Sequence, residues 1–414
     1  MNRRNFLAGA AAMPAAASAP IDWAAVRNDF PRALNEVYFN SSAQHPLGVH
    51  TVRGMRNYID FLHLGPGGGR EDFWEHGFQQ VKPMFAKLIG AKPGEVGLCP
   101  STTVGENWFL NGMDLRGGNV VTNDLHYTAS LANYKAREAE QGLDVRVVKH
   151  RDWRIDFADM ERAVNSKTRL VSVSMVSSVN GHLEDIKRLS DLAHAHGALL
   201  YADIIQGAGA IPIDVHALGI DLASCAMYKW LQGEHGYGFI YIREDLIGTR
   251  VKAREFTGHP DFNYRPWVSA PKPGLPELVN HASKGIGAFE VGTPSVITYA
   301  AQLESLKYIE KLGISNIRAH ARELTDMFQR ELPAMGYASI TPKGTETPVV
   351  TFLCKDAEAV RRKIRVASDS GKAKISITGP NSALTVGRFG NHLRIAVSVF
   401  NNREDVKKLL EVLS

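Results

Sequence analysis

The feature that most constrains the fold is an alternation of short β-branched runs with amphipathic helical stretches between about residues 95 and 245. This pattern is typical of a mostly parallel sheet that is covered by helices. The expected strands are the runs 119–122, 145–149, 170–175, 198–202, 222–227 and 238–242. Between two of them, residues 187–196 place apolar side chains at helical spacing. The sequence therefore predicts an α/β domain built from βαβ units.

A second pattern begins in the last third of the chain. Residues 251–285 are rich in Pro and Gly, residues 298–312 read as a long helix, and strands are expected at 349–353, 374–377 and 393–399. The chain has 414 residues, and chains above roughly 250–300 residues usually divide their core between domains. We expect a large domain over 20–297, a small α/β domain over 298–414, and packing of about residues 20–60 on the small domain.

Composition excludes several other classes of protein. The 48 basic and 43 acidic residues give a net charge of +5 without a dense basic block, which argues against a nucleic-acid partner. Cys99, Cys225 and Cys354 are far apart and form no CxxC pair, which argues against a zinc ribbon and a disulfide scaffold. No metal site is predicted.

The first residues resemble a twin-arginine export signal. Arg3 and Arg4 are followed by Phe6 and Leu7 and by small residues up to Ala19, with no acidic residue. The apolar stretch 6–19 is too short to span a bilayer, which takes roughly 20 residues. We expect residues 1–19 to direct export to the periplasm and the mature protein to lie outside the membrane, with the cleavage site left open.

Two residues after neighbouring strands carry the chemistry. Asp203 stands at the end of a buried apolar strand, where a carboxylate needs a partner such as a cationic ring nitrogen. Lys229 follows the next strand in apolar company, where a lysine can have a lowered pKa and form a Schiff base. Pyridoxal 5'-phosphate (PLP) chemistry needs this pair of groups. The sequence predicts a PLP-dependent enzyme with Lys229 and Asp203 as catalytic residues.

The order and surroundings of these residues resemble the class V aminotransferase family of fold type I PLP enzymes, which includes cysteine desulfurases, selenocysteine lyases, kynureninases and isopenicillin N epimerases. The resemblance extends from about residue 37 to the end and is strongest at Asp203-x-x-Gln206, Lys229 and the Gly-x-Gly-Phe at 236–239. It implies a large domain with a mostly parallel, seven-stranded type of sheet and a smaller C-terminal α/β domain.

The resemblance also implies contacts to the cofactor. A hydroxyl pair before a helix suits a phosphate, since the helix N-terminus adds backbone N–H donors. A flat amphipathic ring suits stacking on a flat cofactor. The implied residues are Thr102, Thr103 and Tyr228 at the phosphate, Tyr127 on the ring face, Gln206 at the ring hydroxyl oxygen, and Thr293 at the phosphate of the neighbouring subunit of a homodimer.

Substrate contacts are implied in the same way. Arg394 matches the family arginine that holds the α-carboxylate of an amino acid by a two-point fork. His126 is expected beside the ring as a substrate-side acid or base, Ser178 stands where relatives often have an asparagine, and Asn40 is expected at the cleft mouth.

The departures from the family are informative. Relatives that mobilise sulfur carry a nucleophilic cysteine in the loop before the Arg394 strand, and residues 371–392 contain none. Cys354 lies upstream, in or beside an expected strand. Many relatives also have a histidine and a serine where this chain has Tyr228 and Ala226. These differences disfavour a persulfide-forming desulfurase.

Three functions remain open on the sequence. The first is a PLP enzyme acting at Cα of an amino acid, through an aldimine on Lys229, as an aminotransferase or an isopenicillin-N-epimerase-like enzyme. The alternative is a carbon–sulfur lyase that uses no persulfide cysteine. A third reading is a cofactor-binding protein without catalysis, which the joint retention of Lys229, Asp203, Gln206 and Arg394 disfavours.

Overall fold

The computed structural model describes residues 20–255, 285–378 and 391–414. The export signal predicted at 1–19 and most of the Pro- and Gly-rich stretch lie outside these residues. The strands, named β1 to β12 in chain order, are Val37–Phe39, Val96–Cys99, Asn119–Asn123, Asp144–Val148, Thr168–Ser174, Leu199–Asp203, Leu222–Ala226, Gly238–Ile242, Ala338–Ser339, Val349–Leu353, Ile375–Ile377 and His392–Ala396.

Helices surround these strands. In chain order, and named α1 to α13, they are Trp23–Asn28, Pro31–Asn35, Val49–Leu64, Phe73–His76, Phe78–Ile89, Thr102–Gly112, Thr128–Gln141, Phe157–Ala163, Ile186–Ala195, Val296–Leu312, Ile314–Ala334, Ala357–Asp369 and Arg403–Leu413.

The large sheet has seven strands in the order β2-β8-β7-β6-β5-β3-β4. Strand β8 runs antiparallel to both of its neighbours, β2 and β7, and the remaining neighbours are parallel. The prediction of a mostly parallel α/β sheet is confirmed, and the six strands expected from the alternation lie within two residues of their observed bounds. Strand β2 was not predicted, because its four residues contain Gly97 and show no clear pattern.

Apolar side chains fill both faces of this sheet. One cluster joins the strands to α5, α9 and α10, with Phe85, Leu189 and Leu303 among its members. A second cluster on the opposite face contains Phe109 of α6 and Tyr201 of β6. Because both faces are covered, most strand residues are buried, which is the usual condition of a parallel sheet. The exceptions lie on the edge strand β4 and at Arg169 of β5.

A smaller sheet lies in the C-terminal part, with the order β12-β10-β9 and antiparallel pairing. The N-terminal segment contacts this part in two ways. Strand β1 pairs in parallel with β11, and Arg27 makes an ion pair of 2.7 Å with Asp405. Helix α10 packs against α3 and α5 and shares the core cluster of the large sheet. The domain division after residue 297 stays a prediction.

The loop 177–181, which follows β5 of the large sheet, packs against the start of β10 in the small sheet. The Thr347 hydroxyl donates to the Gly181 carbonyl at 2.7 Å. Gly181 has a φ of +73°, and a Cβ at this position would lie 1.9 Å from the Val349 carbonyl oxygen. Only glycine allows this approach, which brings the ends of β5 and β10 together.

Among the residues described, no helix is long and apolar enough to cross a membrane.

Candidate active site

The candidate site lies at the C-terminal edge of the large sheet. The parallel strands β2, β3, β5, β6 and β7 all end there, so the residues that follow them converge. Parallel α/β sheets commonly bind ligands at this edge. The residues brought to this edge are Thr102 and Thr103 after β2, His126 and Tyr127 after β3, Ser178 after β5, Asp203 at the end of β6, and Tyr228 and Lys229 after β7.

Lys229 is buried, with 6% of its surface exposed. Its Nζ lies 5.8 Å from the ring centre of Tyr127 and 5.7 Å from that of Tyr228. Burial lowers the pKa of Lys229 to about 8, against a smaller raising effect from Asp203. A lysine with this pKa is partly neutral near neutral pH, which a nucleophilic amine requires.

The Asp203 carboxylate is also buried, and burial raises its pKa. Lys229 acts in the opposite direction, since a nearby positive charge favours the carboxylate. Oδ1 accepts a hydrogen bond of 3.0 Å from the Ile205 N–H. Within the described ranges this is the one hydrogen-bond donor to the carboxylate, so Asp203 retains acceptor capacity for a protonated ring nitrogen.

The N-terminus of α6 forms a suitable site for a phosphate. The Ser101 side chain caps the helix by accepting from the Val104 N–H at 3.2 Å. The Thr102 Oγ1 accepts from the Ala226 N–H at 2.9 Å, which leaves the hydroxyl proton free to donate. Unpaired N–H groups in a first helical turn bind anions well. The contact to Ala226 uses its backbone, so the serine found there in relatives is not needed to fix Thr102.

Gln206 is fixed between two segments of the chain. Its Nε2 donates to the Ser42 carbonyl at 2.9 Å, and its Oε1 accepts from the Trp230 Nε1 at 2.8 Å. An amide nitrogen has two protons, so one remains for a ring hydroxyl oxygen.

Tyr127 precedes α7 and is half-buried, with its ring beside the Lys229 amine. A ring at this position is suited to stack on a cofactor.

Arg394 comes to the site from the small sheet. Its Nη1 donates to the Ser178 carbonyl at 2.7 Å, and its Nη2 donates to the Thr378 hydroxyl at 3.1 Å. Its Nε is buried and has no partner among the described residues. Burial lowers the pKa of Arg394 to about 10, so the guanidinium stays charged at neutral pH. The remaining N–H groups can bind a carboxylate by a fork.

Ser178 and Asn40, which were expected to contact the substrate, instead support Arg394. Ser178 contacts the guanidinium through its backbone carbonyl rather than its hydroxyl. The Asn40 Oδ1 accepts from the Thr378 hydroxyl, which in turn accepts from Arg394. Asn40 and Thr378 therefore orient the arginine from the N-terminal segment and the small sheet.

His126 differs from the expectation of direct substrate contact. The side chain is fully buried, with Nδ1 2.8 Å from the Ser174 Oγ and Nε2 3.1 Å from the Ser172 Oγ. It precedes Tyr127 in the turn after β3 and, unlike the half-buried Tyr127, is enclosed by the protein. We correct its expected position from the substrate side to the protein interior.

Thr293 lies away from this cluster. It is exposed on the segment before α10, and its carbonyl accepts from the Tyr237 hydroxyl at 3.4 Å. Within one chain the structure does not bring it to Lys229.

Three residues at the site were not anticipated from the sequence. Trp230 and Ser42 orient Gln206, and Thr378 orients Arg394. Trp230 directly follows Lys229 in the sequence, and this adjacency could have indicated that Trp230 lies at the site. Ser42 and Thr378 reach the site through long-range pairing and gave no local signal.

Comparison with known proteins identifies the family. The family model "Aminotransferase class-V" matches residues 70–409, which is most of the chain. The chain belongs to the class V aminotransferase family. It is a PLP-dependent enzyme of the fold type I class.

The curated relatives of this class V enzyme carry different names. A probable cysteine desulfurase of Methanothermobacter thermautotrophicus is 29% identical over 308 residues, covering 73% of each chain. The uncharacterised aminotransferase YcbU of Bacillus subtilis is 25% identical over 392 residues, covering 94% of this chain and 96% of the relative.

A solved structure shares the fold. A lysine-to-alanine variant of C-DES, with glycine covalently linked to its PLP cofactor, superposes with a TM-score of 0.78 at 18% identity. The match covers 94% of this chain and 98% of that chain.

The side chains of this class V enzyme fit PLP at both ends. The phosphate end has a helix N-terminus with a free hydroxyl proton on Thr102, and the ring end has the Asp203 carboxylate with an unused acceptor oxygen. Lys229 lies between them as a buried amine of lowered pKa. When bound, PLP supplies an electron sink that stabilises negative charge at Cα of an amino acid.

Prediction for Lys229. Its pKa is lowered from 10.5 to about 8, so between these pH values the unfolded apoprotein binds more protons than the folded one, and stability rises with pH. Lys229→Met removes the buried charge. We expect this variant to be more stable than wild-type apoprotein below pH 8, by up to about 3 kcal/mol, and the gap to close as the pH rises to 10.5.

Urea unfolding across this pH range measures the difference. Lys408→Met is the matched control, because Lys408 is exposed and its loss leaves the interior unchanged. An equal pH dependence of the two variants would contradict the assignment of a buried, partly neutral Lys229.

Proposed function

We propose that this enzyme acts at Cα of an α-amino acid, with Lys229 as the base and Arg394 as the carboxylate anchor. The observation that carries the proposal is the convergence of a buried lysine of lowered pKa, a buried carboxylate and an incompletely bonded arginine in one cluster. Arg394 lowers the pKa of Lys229 and Asp203 raises it, which places all three charges close together.

Each residue has one task in this proposal. Arg394, held by Ser178 and Thr378, fixes the substrate carboxylate and so orients Cα. Lys229 Nζ takes the Cα proton as its neutral amine and returns it as an ammonium. Asp203 keeps its negative charge beside the ring nitrogen. Lys229 and Asp203 are both buried, so few water molecules reach either group.

Transamination or Cα epimerisation are the reactions we favour. Both begin when Lys229 takes a proton from Cα. In transamination the proton returns to a different atom, water then releases the keto acid, and the amino group passes to a second keto acid. In epimerisation the proton returns to the opposite face of Cα, which requires a proton donor on that face. A relative named as an aminotransferase, which matches over nearly the whole chain, supports this choice.

A carbon–sulfur lyase is the second candidate. The probable cysteine desulfurase among the relatives favours it. The cysteines of this chain argue against a persulfide on the protein, because Cys99, Cys225 and Cys354 are all buried. Burial raises the pKa of Cys354 to about 11, so its thiolate is scarce at neutral pH. A lyase of this kind would release its sulfur product directly.

Prediction for Cα chemistry. With the cofactor-loaded enzyme in D₂O, we expect Cα–H of a substrate amino acid to exchange for deuterium. Lys229→Ala should slow this exchange by roughly 10²- to 10⁴-fold, the usual contribution of a positioned base. Arg394→Gln should instead raise KM, by roughly 10- to 100-fold, since bonds to a charged group contribute about 1.5–3 kcal/mol.

Proton NMR of a panel of L-amino acids measures the exchange, and Lys408→Ala serves as the control. The products then separate the reactions: a keto acid indicates transamination, the D-amino acid indicates epimerisation, and sulfide or persulfide from cysteine or cystine indicates the lyase. Loaded enzyme that exchanges no amino acid at Cα would contradict the proposal and favour a binding protein without catalysis.

The proposed functional unit is a homodimer in which Thr293 completes the neighbouring site. The surface around Thr293 is apolar and exposed. Val291 is 41% exposed and Trp74 is 46% exposed. Trp74 stacks on Phe78 with ring centres 4.6 Å apart, and Tyr237, which bonds to Thr293, belongs to the same aromatic group. A second copy of the chain would cover this surface.

Prediction for the dimer. Lys229→Ala and Thr293→Val should each lose activity when pure. A mixed dimer of the two variants should regain activity, because one of its sites then has both an intact Lys229 and an intact Thr293 from different subunits. Activity assays after unfolding and refolding the mixture measure this. Failure to recover activity in dimers shown to be mixed would contradict a shared site.

We also propose export through the twin-arginine route, on the Arg3-Arg4 motif that precedes the described residues. This route carries folded proteins, so the cofactor can be bound before transport. Cell fractionation tests it: the protein should move from the periplasmic to the cytosolic fraction when both Arg3 and Arg4 are changed to lysine. An unchanged distribution would contradict the proposal.

A further inference from the structure

A buried polar network lies behind Asp203 and has no part in the chemistry described above. Its acid is Glu106 of α6, which is 1% exposed. Its Oε2 accepts from the Ser130 hydroxyl at 2.6 Å, and its Oε1 lies 2.7 Å from the Tyr134 hydroxyl. The same Oε1 is 3.8 Å from the His126 Nε2.

A buried cation lies close to Glu106. Arg137 of α7 is 9% exposed and donates to the amide oxygens of Asn107 and Asn111 at 3.1 and 2.8 Å. Burial lowers the pKa of Arg137, while Tyr134 and Glu106 raise it. Because these amide partners are neutral, Glu106 provides the negative charge that stabilises this buried guanidinium.

The protons of this network can be placed by counting donors. The Tyr134 hydroxyl lies 2.7 Å from both Glu106 Oε1 and Ser172 Oγ, but it has one proton. An ionised carboxylate can only accept, so that proton goes to Glu106. The Ser172 hydroxyl must then donate to the Tyr134 oxygen, and its own oxygen is left as an acceptor for His126.

For a neutral His126 ring, the same count fixes which nitrogen carries the proton. Nε2 lies 3.1 Å from the Ser172 Oγ, so Nε2 carries a proton and donates to it. Nδ1 lies 2.8 Å from the Ser174 Oγ and, in the neutral ring, accepts the Ser174 proton. The carboxylate of Glu106 therefore selects one of the two imidazole tautomers through Tyr134 and Ser172.

The Ser174 end of the network lies next to Asp203 in the sheet. Ser174 and Asp203 are directly paired across β5 and β6. The Glu106 carboxylate raises the pKa of Asp203, and Lys229 and the Ile205 N–H lower it. The spatial order is therefore Glu106, His126, Asp203, with the cofactor ring expected beyond.

We propose that Glu106 is a positioning residue that fixes the tautomer of His126 with the proton on Nε2. In this tautomer the Ser174 hydroxyl donates its hydrogen bond to Nδ1 of His126. The Asp203 carboxylate is thereby left free for the cofactor ring nitrogen. The proposal rests on the proposed role of Asp203. Glu106 itself touches neither cofactor nor substrate. Glutamine at position 106 can donate a hydrogen bond to the Tyr134 oxygen as well as accept one. The Tyr134 hydroxyl can then donate to Ser172, and Ser172 can donate to Nε2 of His126, which places the imidazole proton on Nδ1.

The test is the tautomer of His126 in protein carrying ¹⁵N-labelled histidine, with the signal assigned by its loss in His126→Gln. In wild type we expect protonated Nε2 and unprotonated Nδ1, and in Glu106→Gln we expect the proton on Nδ1. Ser130→Ala is the matched control, because it removes a hydrogen bond to Glu106 and leaves the Tyr134 path intact. It should keep the wild-type tautomer.

Cofactor affinity, measured by the near-visible absorption of lysine-bound PLP, gives a second readout. Glu106→Gln should weaken PLP binding by roughly tenfold, equal to about 1.4 kcal/mol, and the double variant with His126→Gln should bind no more weakly than His126→Gln alone. Identical His126 tautomers in wild type and folded Glu106→Gln, or additive losses in the double variant, would overturn the proposal. Both readouts need no substrate, so they can fail while Cα chemistry stands.

Discussion

The burial of the Lys229 ammonium beside the Asp203 carboxylate is the interaction on which the rest of the site depends. A buried charge is costly unless a partner compensates for it. Here the cost appears as a pKa of Lys229 lowered to about 8 and a raised pKa of Asp203. The parallel strands β6 and β7 bring the two groups together at one sheet edge, and the cofactor of this family supplies the groups that satisfy them.

Arg394 shows how the second sheet enters the same site. Its guanidinium is held by the Ser178 carbonyl from the large sheet and by Thr378 beside the small one, and Asn40 supports Thr378 from the N-terminal segment. Three distant parts of the chain must therefore be in place before the arginine is oriented. The close approach of Gly181 to Val349 fixes the same junction. The orientation of Arg394 is in this way coupled to the relative position of the two sheets.

Most strands of the large sheet and the central site residues could be predicted from the sequence. The features that could not be predicted depend on contacts between distant parts of the chain. Strands β3 to β8 are regular runs rich in apolar residues, so local pattern predicted them; Asp203 ends one of these strands and Lys229 follows another. The pairing of β1 with β11 joins residues far apart in the chain, which no local pattern specifies. His126 and Tyr127 are adjacent in sequence but differ in burial, so only the structure separates the buried imidazole from the ring at the site. Whether Thr293 serves a neighbouring subunit stays a prediction.

The most direct test of the account is to reduce the PLP-loaded protein with borohydride and to map the labelled peptide by mass spectrometry. Reduction joins the cofactor permanently to the amine that holds it. The account predicts a single pyridoxyl group on Lys229, and loss of both the label and the near-visible absorption in Lys229→Ala. A label on another lysine, or an unchanged label in Lys229→Ala, would contradict the central role given to Lys229.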